Sequence, residues 1–362
     1  MAKRFIIAGG GTGGHIFPAV AIANALKRHD ADAKILFVGA LGKMEMERVP
    51  QAGYEIKGIP IAGFNRSSLI KNIGLPWKLL QSFLHVRKIV DDFKPDAVIG
   101  VGGYSSFPVL RYAQSKKIPT FIHESNSFAG KSNKLLGKKA TKIFVATEGM
   151  EVFFPKEKIV ITGNPIRPQI ATANDITKED ALRYFGLINK TTVLAVGGSL
   201  GARSINEAVE KHLNKLIEQD IQLIWQTGKG EAERWKRRAK EKSGIWVSEF
   251  ITAMEYAYAA ADIVISRAGA MAVSELCVVQ KPVVFVPYPF AAEDHQTANA
   301  ANLVTRDGAL MVKDSEALDN IVPLVLALAN DMGKRNSLKI EIGKYAVQNA
   351  DEHIVKEILE SL

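Results

Sequence analysis

Three glycine-rich segments stand out among the residues whose types and spacing could do chemistry. They are Gly9-Gly10-Gly11-Thr12-Gly13-Gly14-His15, Gly102-Gly103-Tyr104-Ser105-Ser106 and Gly197-Gly198-Ser199-Leu200-Gly201-Ala202. Glycines let the backbone approach a ligand closely and aim N–H groups at it, and a following helix N-terminus favours an anion. Because each segment also carries a hydroxyl, at Thr12, Ser105 and Ser199, the three together favour a diphosphate site.

Two familiar nucleotide motifs fit the first segment poorly. Its glycines satisfy G-x-G-x-x-G, but a dinucleotide site also needs a carboxylate at the end of the second strand, and that strand ends here at Val38-Gly39-Ala40. A Walker A loop needs Lys and Ser or Thr after its last glycine, where this chain has His15 and Ile16. The absence of this carboxylate, and of Lys and Ser or Thr after the last glycine, therefore disfavours both a dinucleotide-binding fold and a P-loop fold.

His15 is the candidate general base. Histidine has a side-chain pKa suited to proton transfer near neutrality, and His15 lies at the predicted start of a helix, just after the glycines. The alternative is that His15 only caps this helix. His123 and Glu124, at the end of another strand of the first half, are the reserve candidates.

The elements that must position these groups alternate along the chain. Short Val- and Ile-rich runs separated by helical stretches predict buried parallel strands with crossover helices. The predicted strands are Phe5–Gly9, Lys34–Gly39, Tyr54–Ile61, Ala97–Val101, Pro119–His123, Lys142–Ala146, Thr191–Val196, Ile221–Gln226, Ile245–Val247, Ile263–Ser266 and Pro282–Val286. The sequence therefore predicts two wound α/β units, each built as strand, glycine loop and helix, with ligands beyond the carboxyl ends of the strands and a cleft between the units.

Several local signals refine this prediction. Thr177 followed by Asp180 predicts a helix start, and Asp351 is a candidate cap for the last helix. Ser204–Leu216 is a predicted helix, and Ile159–Pro168, rich in Gly and Pro, is a predicted linker.

Length and composition bound the class of protein. A chain of 362 residues suggests two domains, and 47% hydrophobic with 23% charged residues is ordinary globular composition. One cysteine, Cys277, excludes an internal disulfide and a cysteine-based zinc site. No apolar run approaches the roughly 20 residues of a membrane span, and the apolar run near the N-terminus is too short for a signal peptide, so we expect a cytoplasmic protein.

The charge is divided unevenly. Residues 1–167 hold 25 Lys+Arg and 12 Asp+Glu, a net +13, whereas the remainder holds 22 and 26, a net −4. A basic half indicates an anionic partner: nucleic acid, an acidic membrane surface or a phosphorylated substrate. The alternative is that the lysines only keep the surface soluble.

The chain closely resembles the MurG family over essentially its whole length. The resemblance rests on the three glycine segments together with Gly163-Asn164-Pro165-Ile166-Arg167, Ser266 to Glu275 and Asp294-His295-Gln296, which occur in the family's order. It implies an α/β fold with two Rossmann-like domains and parallel sheets facing a cleft, of the GT-B glycosyltransferase type. Residues 1–163 would bind the acceptor and the membrane, residues 164–344 would bind the UDP-sugar donor, and a helix at about 345–362 would pack back onto the first domain.

The resemblance also implies roles for individual residues. Arg167 and Ser199 would contact the donor diphosphate, Ile251 the uracil, Glu275 the ribose hydroxyls and Gln296 the sugar. The segment Ala270, Met271, Ala272, Val273, Ser274 and Glu275 would shape the nucleotide pocket. Thr12, Gly13, Gly14 and Asn126, from the first domain, would complete the sugar and acceptor side. The acceptor diphosphate would meet loops containing Gly14, His15, Gly102, Gly103, Tyr104 and Ser105.

The implied activity is transfer of N-acetylglucosamine from UDP-N-acetylglucosamine to the C4 hydroxyl of muramoyl-pentapeptide on undecaprenyl diphosphate. The reaction would invert the anomeric centre and serve peptidoglycan synthesis, and through it cell shape and division. It needs no cofactor, and because no Asp-x-Asp pair is placed for a bridging metal, we expect no tightly bound metal. The nearest alternative is another GT-B enzyme of UDP-sugars, a lipid glycosyltransferase or a UDP-N-acetylglucosamine 2-epimerase.

A lipid-borne acceptor would explain the basic half by an anionic membrane surface. The stretch from Phe64 to Phe93 interleaves apolar side chains with Arg66, Lys71, Lys78, Arg87 and Lys88, a pattern that suits the cytoplasmic face of a membrane. The loop Leu69–Trp77 is the favoured contact; the alternative is a core-facing helix after Pro76 with a solvated basic side. Two rival classes are a nucleic-acid-binding protein, for which no recognisable module is present, and a nicotinamide oxidoreductase, which lacks the second-strand carboxylate.

Overall fold

The protein consists of two compact units. Unit 1 comprises Met1–Ile166 and Asn349–Leu362, and unit 2 comprises Arg167–Gln348. The computed structural model describes residues 2–61, 75–198, 200–230, 232–239 and 242–362, with backbone alone at 75–79. The functions assigned above to the two parts of the chain stay predictions.

Unit 1 is built on a parallel sheet of seven strands in the order β3-β2-β1-β4-β5-β6-β7. The strands are β1 (Arg4–Ala8), β2 (Lys34–Ala40), β3 (Glu55–Ile59), β4 (Ala97–Gly100), β5 (Thr120–Glu124), β6 (Lys142–Val145) and β7 (Ile159–Ile161). The helices are α1 (Gly13–His29), α2 (Glu45–Gln51), α3 (Leu75–Phe93), α4 (Ser106–Ser115), α5 (Lys131–Gly137) and, from the end of the chain, α16 (Ala350–Leu359). Both faces of the sheet are covered by apolar side chains, which is why its strands are continuous hydrophobic runs.

Unit 2 repeats the plan with six parallel strands in the order β10-β9-β8-β11-β12-β13. The strands are β8 (Thr192–Val196), β9 (Gln222–Gln226), β10 (Ile245–Ser248), β11 (Ile263–Ser266), β12 (Val283–Phe285) and β13 (Leu310–Met311). The helices are α6 (Pro168–Ala171), α7 (Lys178–Tyr184), α8 (Arg203–Lys211), α9 (Leu213–Glu218), α10 (Ala232–Ala239), α11 (Met254–Ala260), α12 (Ala270–Val279), α13 (His295–Val304), α14 (Ala317–Asn330) and α15 (Met332–Gly343). The predicted pair of Rossmann-like domains is thereby confirmed.

Strands β1 and β8 hold equivalent places in the two sheets. Each lies where the strand order reverses, β1 between β2 and β4 and β8 between β9 and β11. In wound α/β sheets this reversal opens a crevice beyond the carboxyl ends of the strands, where ligands bind. The first and third glycine segments follow β1 and β8, so both occupy such a position.

Some local predictions need correction. Ile159–Ile161 is not linker but the edge strand β7, paired with β6, because its Val/Ile content satisfies a sheet edge despite the Gly and Pro that follow. The predicted helix Ser204–Leu216 is interrupted at His212, which separates α8 from α9. The Thr177 cap is confirmed, since its hydroxyl accepts a hydrogen bond from the Asp180 N–H at 3.1 Å.

The last helix is held to unit 1 by charge and by burial. Asp351 is not its cap, because Asn349 precedes the first helical residue. Asp351 lies instead in the first turn and, with Glu352, accepts hydrogen bonds from Arg28 at 2.5 and 2.7 Å. On the inner side, Ile354 and its apolar neighbours on the same helix face are buried in the core of unit 1.

Candidate functional site

The first two glycine loops pack backbone against backbone in unit 1. Gly9, Gly10 and Gly11 have φ of 150°, 147° and 90°, which favours glycine. A Cβ on Gly9 would lie 2.5 Å from the Gly102 carbonyl oxygen, and one on Gly103 would lie 2.5 Å from the Gly10 carbonyl oxygen. Only glycine fits this contact, so the structure brings the first and second segments together as one site.

The N–H groups of the first three glycines of this loop point into the protein. Those of Gly9 and Gly10 donate to neighbouring backbone carbonyls at 3.2 and 3.4 Å, and that of Gly11 donates to Glu45 Oε2 at 2.8 Å. They are therefore not available to a phosphate, contrary to the expectation from the sequence. The donors that remain suitable are those at the start of α1, at Gly13 and Gly14, because the first turn of a helix has no intrahelical acceptors for its N–H groups.

His15 is held by this loop through one ring nitrogen. Its Nδ1 lies 3.0 Å from the Gly10 carbonyl oxygen and 3.5 Å from the Thr12 hydroxyl. A carbonyl oxygen can only accept, so Nδ1 carries the proton in the neutral ring and Nε2 has the lone pair. A Cβ on Gly102 would lie 2.8 Å from Nε2, so a glycine there makes room for the ring. This tautomer is the one that a general base acting through Nε2 requires.

The remaining residues of the second glycine loop stabilise Gly103 in its contact with the first loop. Ser105 is buried, Tyr104 is half-buried, and the Ser106 hydroxyl donates to the Gly103 carbonyl at 2.7 Å. The predicted acceptor loops, one containing Gly14 and the other Gly102 and Gly103, thus lie beside each other. Their contact with an acceptor diphosphate stays a prediction.

The reserve bases lie at the end of β5 in surroundings that do not suit the role. Glu124 is buried and accepts hydrogen bonds from both nitrogens of Asn126, from the Gly130 N–H and from Asn133, at 2.9 to 3.2 Å. His123 is completely buried, and burial lowers its pKa to about 4. Glu124 therefore organises the loop that carries Asn126, and the predicted contact of Asn126 with the sugar stays a prediction.

The third glycine loop packs against the loop after β9 in unit 2. A Cβ on Gly201 would lie 2.0 Å from the Thr227 carbonyl oxygen, and one on Gly228 would lie 2.3 Å from the Leu200 carbonyl oxygen. The two loops thus meet through glycines, as the two loops of unit 1 do. Ser199, the predicted diphosphate ligand in this loop, lies outside the described residues.

Gln226, the last residue of β9, ties this loop to the predicted uracil position. Its Nε2 donates to the Gly198 carbonyl and its Oε1 accepts from the Ile251 N–H, both at 2.9 Å. Gln226 and Ile251 are both buried. Because the Ile251 N–H donates to Gln226, its carbonyl is the backbone group left for a pyrimidine, and the predicted contact of Ile251 with uracil stays a prediction.

Arg167 and Glu275 form a forked ion pair in unit 2. Arg167 Nε and Nη2 donate to the two Glu275 oxygens at 2.9 and 3.0 Å, and the buried Tyr258 hydroxyl donates to Glu275 Oε2 at 3.2 Å. Burial opposes the charge on Arg167, but the hydrogen bonds and charge of Glu275 outweigh it and raise the guanidinium pKa. Burial and then the Glu275 charge raise the Tyr258 pKa well above its usual value.

This pair limits what each partner can bind. Among the described residues, Oε2 of Glu275 accepts two hydrogen bonds and Oε1 accepts one, which leaves the carboxylate one acceptor position. Arg167 keeps its other N–H donors. The predicted contacts of Glu275 with ribose and of Arg167 with a diphosphate both stay predictions.

The remaining donor-side residues lie at helix starts. Ala270 begins α12, whose first two turns hold the predicted pocket segment, and Gly269 precedes this helix without a side-chain cap. Gln296 lies in the first turn of α13, and its Oε1 accepts from the Tyr288 N–H at 2.9 Å. Glu293 and Asp294, just before this helix, both have left-handed backbone with φ of 55° and 54°, a strain often found at functional sites. The role of Gln296 toward the sugar stays a prediction.

Sequence reasoning missed Glu45, Gln226 and Tyr258. Gln226 ends a predicted strand, which is a position that could have drawn attention. Nothing in the spacing marks Glu45 or Tyr258, because their partners come from distant parts of the chain. Within the described ranges no three His, Cys, Asp or Glu side chains are grouped so as to hold a metal ion.

Comparison with known proteins places both units in one class. The family model described as the glycosyltransferase family 28 N-terminal domain matches residues 5–145, and that of the family 28 C-terminal domain matches residues 192–355. The chain therefore belongs to glycosyltransferase family 28, and it is a glycosyltransferase of the GT-B fold.

The sequences and structures of individual relatives show which family within this class the chain belongs to. The UDP-N-acetylglucosamine--N-acetylmuramyl-(pentapeptide) pyrophosphoryl-undecaprenol N-acetylglucosamine transferase of Parabacteroides distasonis is 51% identical over 359 residues, 98% of this chain and 97% of that protein. The crystal structure of MurG from Acinetobacter baumannii superposes with a TM-score of 0.80 at 27% identity, over 99% of both chains. The chain is thus a member of the MurG family. A UDP-N-acetylglucosamine 2-epimerase from Neisseria meningitidis has a TM-score of 0.67 at 15% identity, over 99% of this chain and 100% of that one, which indicates a shared fold alone.

Proposed function

We propose that this glycosyltransferase moves N-acetylglucosamine from UDP-N-acetylglucosamine to the C4 hydroxyl of muramoyl-pentapeptide on undecaprenyl diphosphate, in peptidoglycan synthesis. The observation that carries the proposal is 51% identity over 98% of the chain to a transferase named for that donor and acceptor. The site geometry of each unit is compatible with it.

In unit 1, His15 would act as the general base. The hydrogen bond from Nδ1 to Gly10 supports this role, because it assigns the basic lone pair to Nε2. Nε2 would take the proton of the C4 hydroxyl while its oxygen attacks the anomeric carbon, and the bond from that carbon to UDP would break. Attack from the face opposite the leaving group inverts the centre and gives a β-1,4 linkage.

In unit 2, the start of α12 and Arg167 would stabilise the leaving diphosphate. A helix N-terminus carries partial positive charge, and an arginine fork matches phosphate oxygens. Such groups act best when they are held before the charge develops. The bidentate pair with Glu275 supports this assignment for Arg167, since it fixes the guanidinium plane.

The acceptor lipid would bring the enzyme to the cytoplasmic face of the membrane as a peripheral protein. The support is the net +13 of residues 1–167 and, on α3, the exposed apolar side chains Leu80 and Leu84 beside the exposed Arg87 and Lys88. The predicted membrane contacts at Arg66, Lys71 and the loop Leu69–Trp77 fall outside the residues whose side chains are described, as does Lys78. No helix in the described part of the chain is long and apolar enough to cross a bilayer.

The test of the activity is transfer of labelled N-acetylglucosamine to the muramoyl lipid carrier. We expect a labelled lipid product that depends on both donor and acceptor, with no release of a C2-epimerised sugar when the acceptor is omitted. Epimerised product without acceptor would instead favour the 2-epimerase alternative, and transfer only to other lipids would favour a different lipid glycosyltransferase.

The membrane proposal has its own test with vesicles containing anionic lipid at low salt. The double change Lys71→Glu and Lys78→Glu should weaken binding, since each basic residue near an anionic surface contributes about 1 kcal/mol. Lys215→Glu with Lys334→Glu, at exposed positions of unit 2, makes the same charge change as a control. Equal binding by both double variants would refute the proposed contact.

A further inference from the structure

Glu45 is a buried carboxylate beneath the first glycine loop. It is the first residue of α2 and only 1% exposed. Its Oε2 accepts the Gly11 N–H at 2.8 Å and its Oε1 accepts the Ala40 N–H at 3.0 Å. Within the described residues no Lys, Arg or His forms an ion pair with it. Burying a carboxylate without a counter-charge is costly, so its place here calls for an explanation.

The site is shaped around this carboxylate. A Cβ on Gly10 would lie 2.3 Å from Glu45 Cδ, and a Cβ on Gly39 would lie 2.5 Å from Glu45 Cγ. Two glycines, one from the loop and one from β2, thus provide the space that the side chain fills. Glu45 therefore packs directly against Gly10 and Gly39, and these three residues together determine the conformation of the first loop.

One peptide group connects Glu45 to His15. The N–H of the Gly10–Gly11 peptide donates to Glu45 Oε2, and the C=O of the same peptide lies 3.0 Å from His15 Nδ1. The peptide is planar, so a partner that fixes the direction of its N–H also fixes the direction of its C=O. Hydrogen bonds in such a chain polarise one another, and an anion at one end makes the carbonyl a better acceptor at the other.

We propose that Glu45 is the positioning residue for His15, acting through the Gly10–Gly11 peptide. It holds the imidazole in the tautomer with Nδ1 protonated and directs Nε2 to the reacting hydroxyl. In the transfer, Nε2 gains the hydroxyl proton, the new bond from oxygen to the anomeric carbon forms, and UDP leaves with the electrons of the broken bond. The carboxylate then stabilises the imidazolium across the peptide, the task of the acidic member in a catalytic triad. This inference rests on the proposed base role of His15.

Glu45→Gln is the decisive variant, because an amide has one oxygen to accept with and must turn its NH2 toward Gly11 or Ala40. Glu47→Gln is the matched control, on the same helix but exposed. We expect Glu45→Gln to lower kcat about 10- to 100-fold, a part of the roughly 10²- to 10⁴-fold that general acid–base catalysis contributes. The KM for UDP-N-acetylglucosamine should stay within about twofold, and Glu47→Gln should match the wild type.

A spectroscopic readout separates positioning from general damage to the fold. In protein labelled with ¹⁵N-histidine, the His15 signals, assigned by their loss in His15→Gln, should report a protonated Nδ1 in the wild type and a mixture of tautomers in Glu45→Gln. Glu45→Gln should also add no further loss of kcat in the His15→Gln background. If Glu45→Gln melts below the assay temperature, Glu45→Asp, which keeps the charge but is too short to hold both N–H groups, should give the same mixture.

Each outcome decides a different claim. Unchanged kcat together with an unchanged His15 tautomer in a folded Glu45 variant would overturn the inference. Full activity of His15→Gln would instead refute the base role on which the inference rests. An absence of lipid-dependent transfer in the wild type would refute the proposed function, while the tautomer measurement would still test the link between Glu45 and His15.

Discussion

The glycine loops after β1 and β8 have the same place in their sheets but different buried supports. Glu45, just after β2, holds the first loop through Gly11, and Gln226, at the end of β9, holds the third through Gly198. Strands β2 and β9 occupy equivalent sheet positions. One support is a carboxylate and the other a neutral amide.

The difference in charge matches the chemistry proposed for each unit. A negative charge beneath the first loop favours a positively charged imidazole at His15, as a general base requires after it takes a proton. The same charge beneath the third loop would repel a diphosphate, whereas the amide of Gln226 positions the loop without a charge. The two units therefore show how one backbone plan can be adapted by a single buried side chain.

Removal of the base should have the largest effect. His15→Ala should lower kcat by about 10²- to 10⁴-fold, the usual contribution of general acid–base catalysis, while the affinity for UDP changes little. Steady-state kinetics and calorimetric titration with UDP measure the two quantities. Turnover of His15→Ala at nearly the wild-type rate would show that His15 is not the base, and the proposed difference between the two loops would then have no catalytic meaning.

Exchanging the neutral support for a charged one should affect the donor. Gln226→Glu would place a carboxylate against the Gly198 carbonyl and next to the proposed diphosphate site, so UDP affinity should fall by about 2 kcal/mol, or roughly 30-fold. Gln219→Glu, at an exposed position of the same unit, is the control for net charge. Unaltered UDP binding by folded Gln226→Glu would mean that the neutrality of this support is irrelevant.

The buried His123 should make unit 1 sensitive to acid. Its pKa of about 4 lies below the ordinary value of 6.5, so the unfolded chain binds a proton where the folded one does not. The stability is present in full above pH 6.5 and declines as the pH falls toward 4, by about 2 kcal/mol at pH 5. Hydrogen exchange of β5 peptides, corrected for intrinsic rates, should show this decline in the wild type and a smaller one in His123→Phe. An equal decline in both proteins would show that His123 is not the cause of the acid sensitivity.

The smallest effect should come from the ion pair of unit 2. Glu275→Gln should weaken UDP binding about tenfold if its remaining acceptor position serves ribose. This is the low end of the roughly 1.5 to 3 kcal/mol that a hydrogen bond to a charged group contributes, because the amide oxygen of the variant can still accept. Tyr258→Phe, which removes only the Tyr258 hydroxyl from Glu275, should leave UDP affinity within about twofold. Equal losses in the two variants would indicate that the network supports the fold and does not contact the ribose.

Much of this architecture can be predicted from the sequence, because buried parallel strands and their glycine loops are local signals. The glycine segments, the wound plan and the cap at Thr177 are visible in short stretches. Glu45 could not be predicted, since the space for it is created by Gly10 and Gly39 only when β1, β2 and α2 are assembled. The prediction that the N–H groups of the first loop face a ligand is wrong for the same reason. The spacing of the glycines does not show that Glu45 lies next to the loop and accepts the Gly11 N–H.

The return of α16 to unit 1 has a consequence for the order of folding. Unit 2 is inserted between β7 and this helix, and Ile354, Val355 and Ile358 of the helix fill the core of unit 1. During translation all of unit 2 therefore emerges from the ribosome before unit 1 can close over its sheet. Unit 1, though it is begun first, is completed last, and the apolar surface that α16 covers stays exposed until this helix has been synthesised.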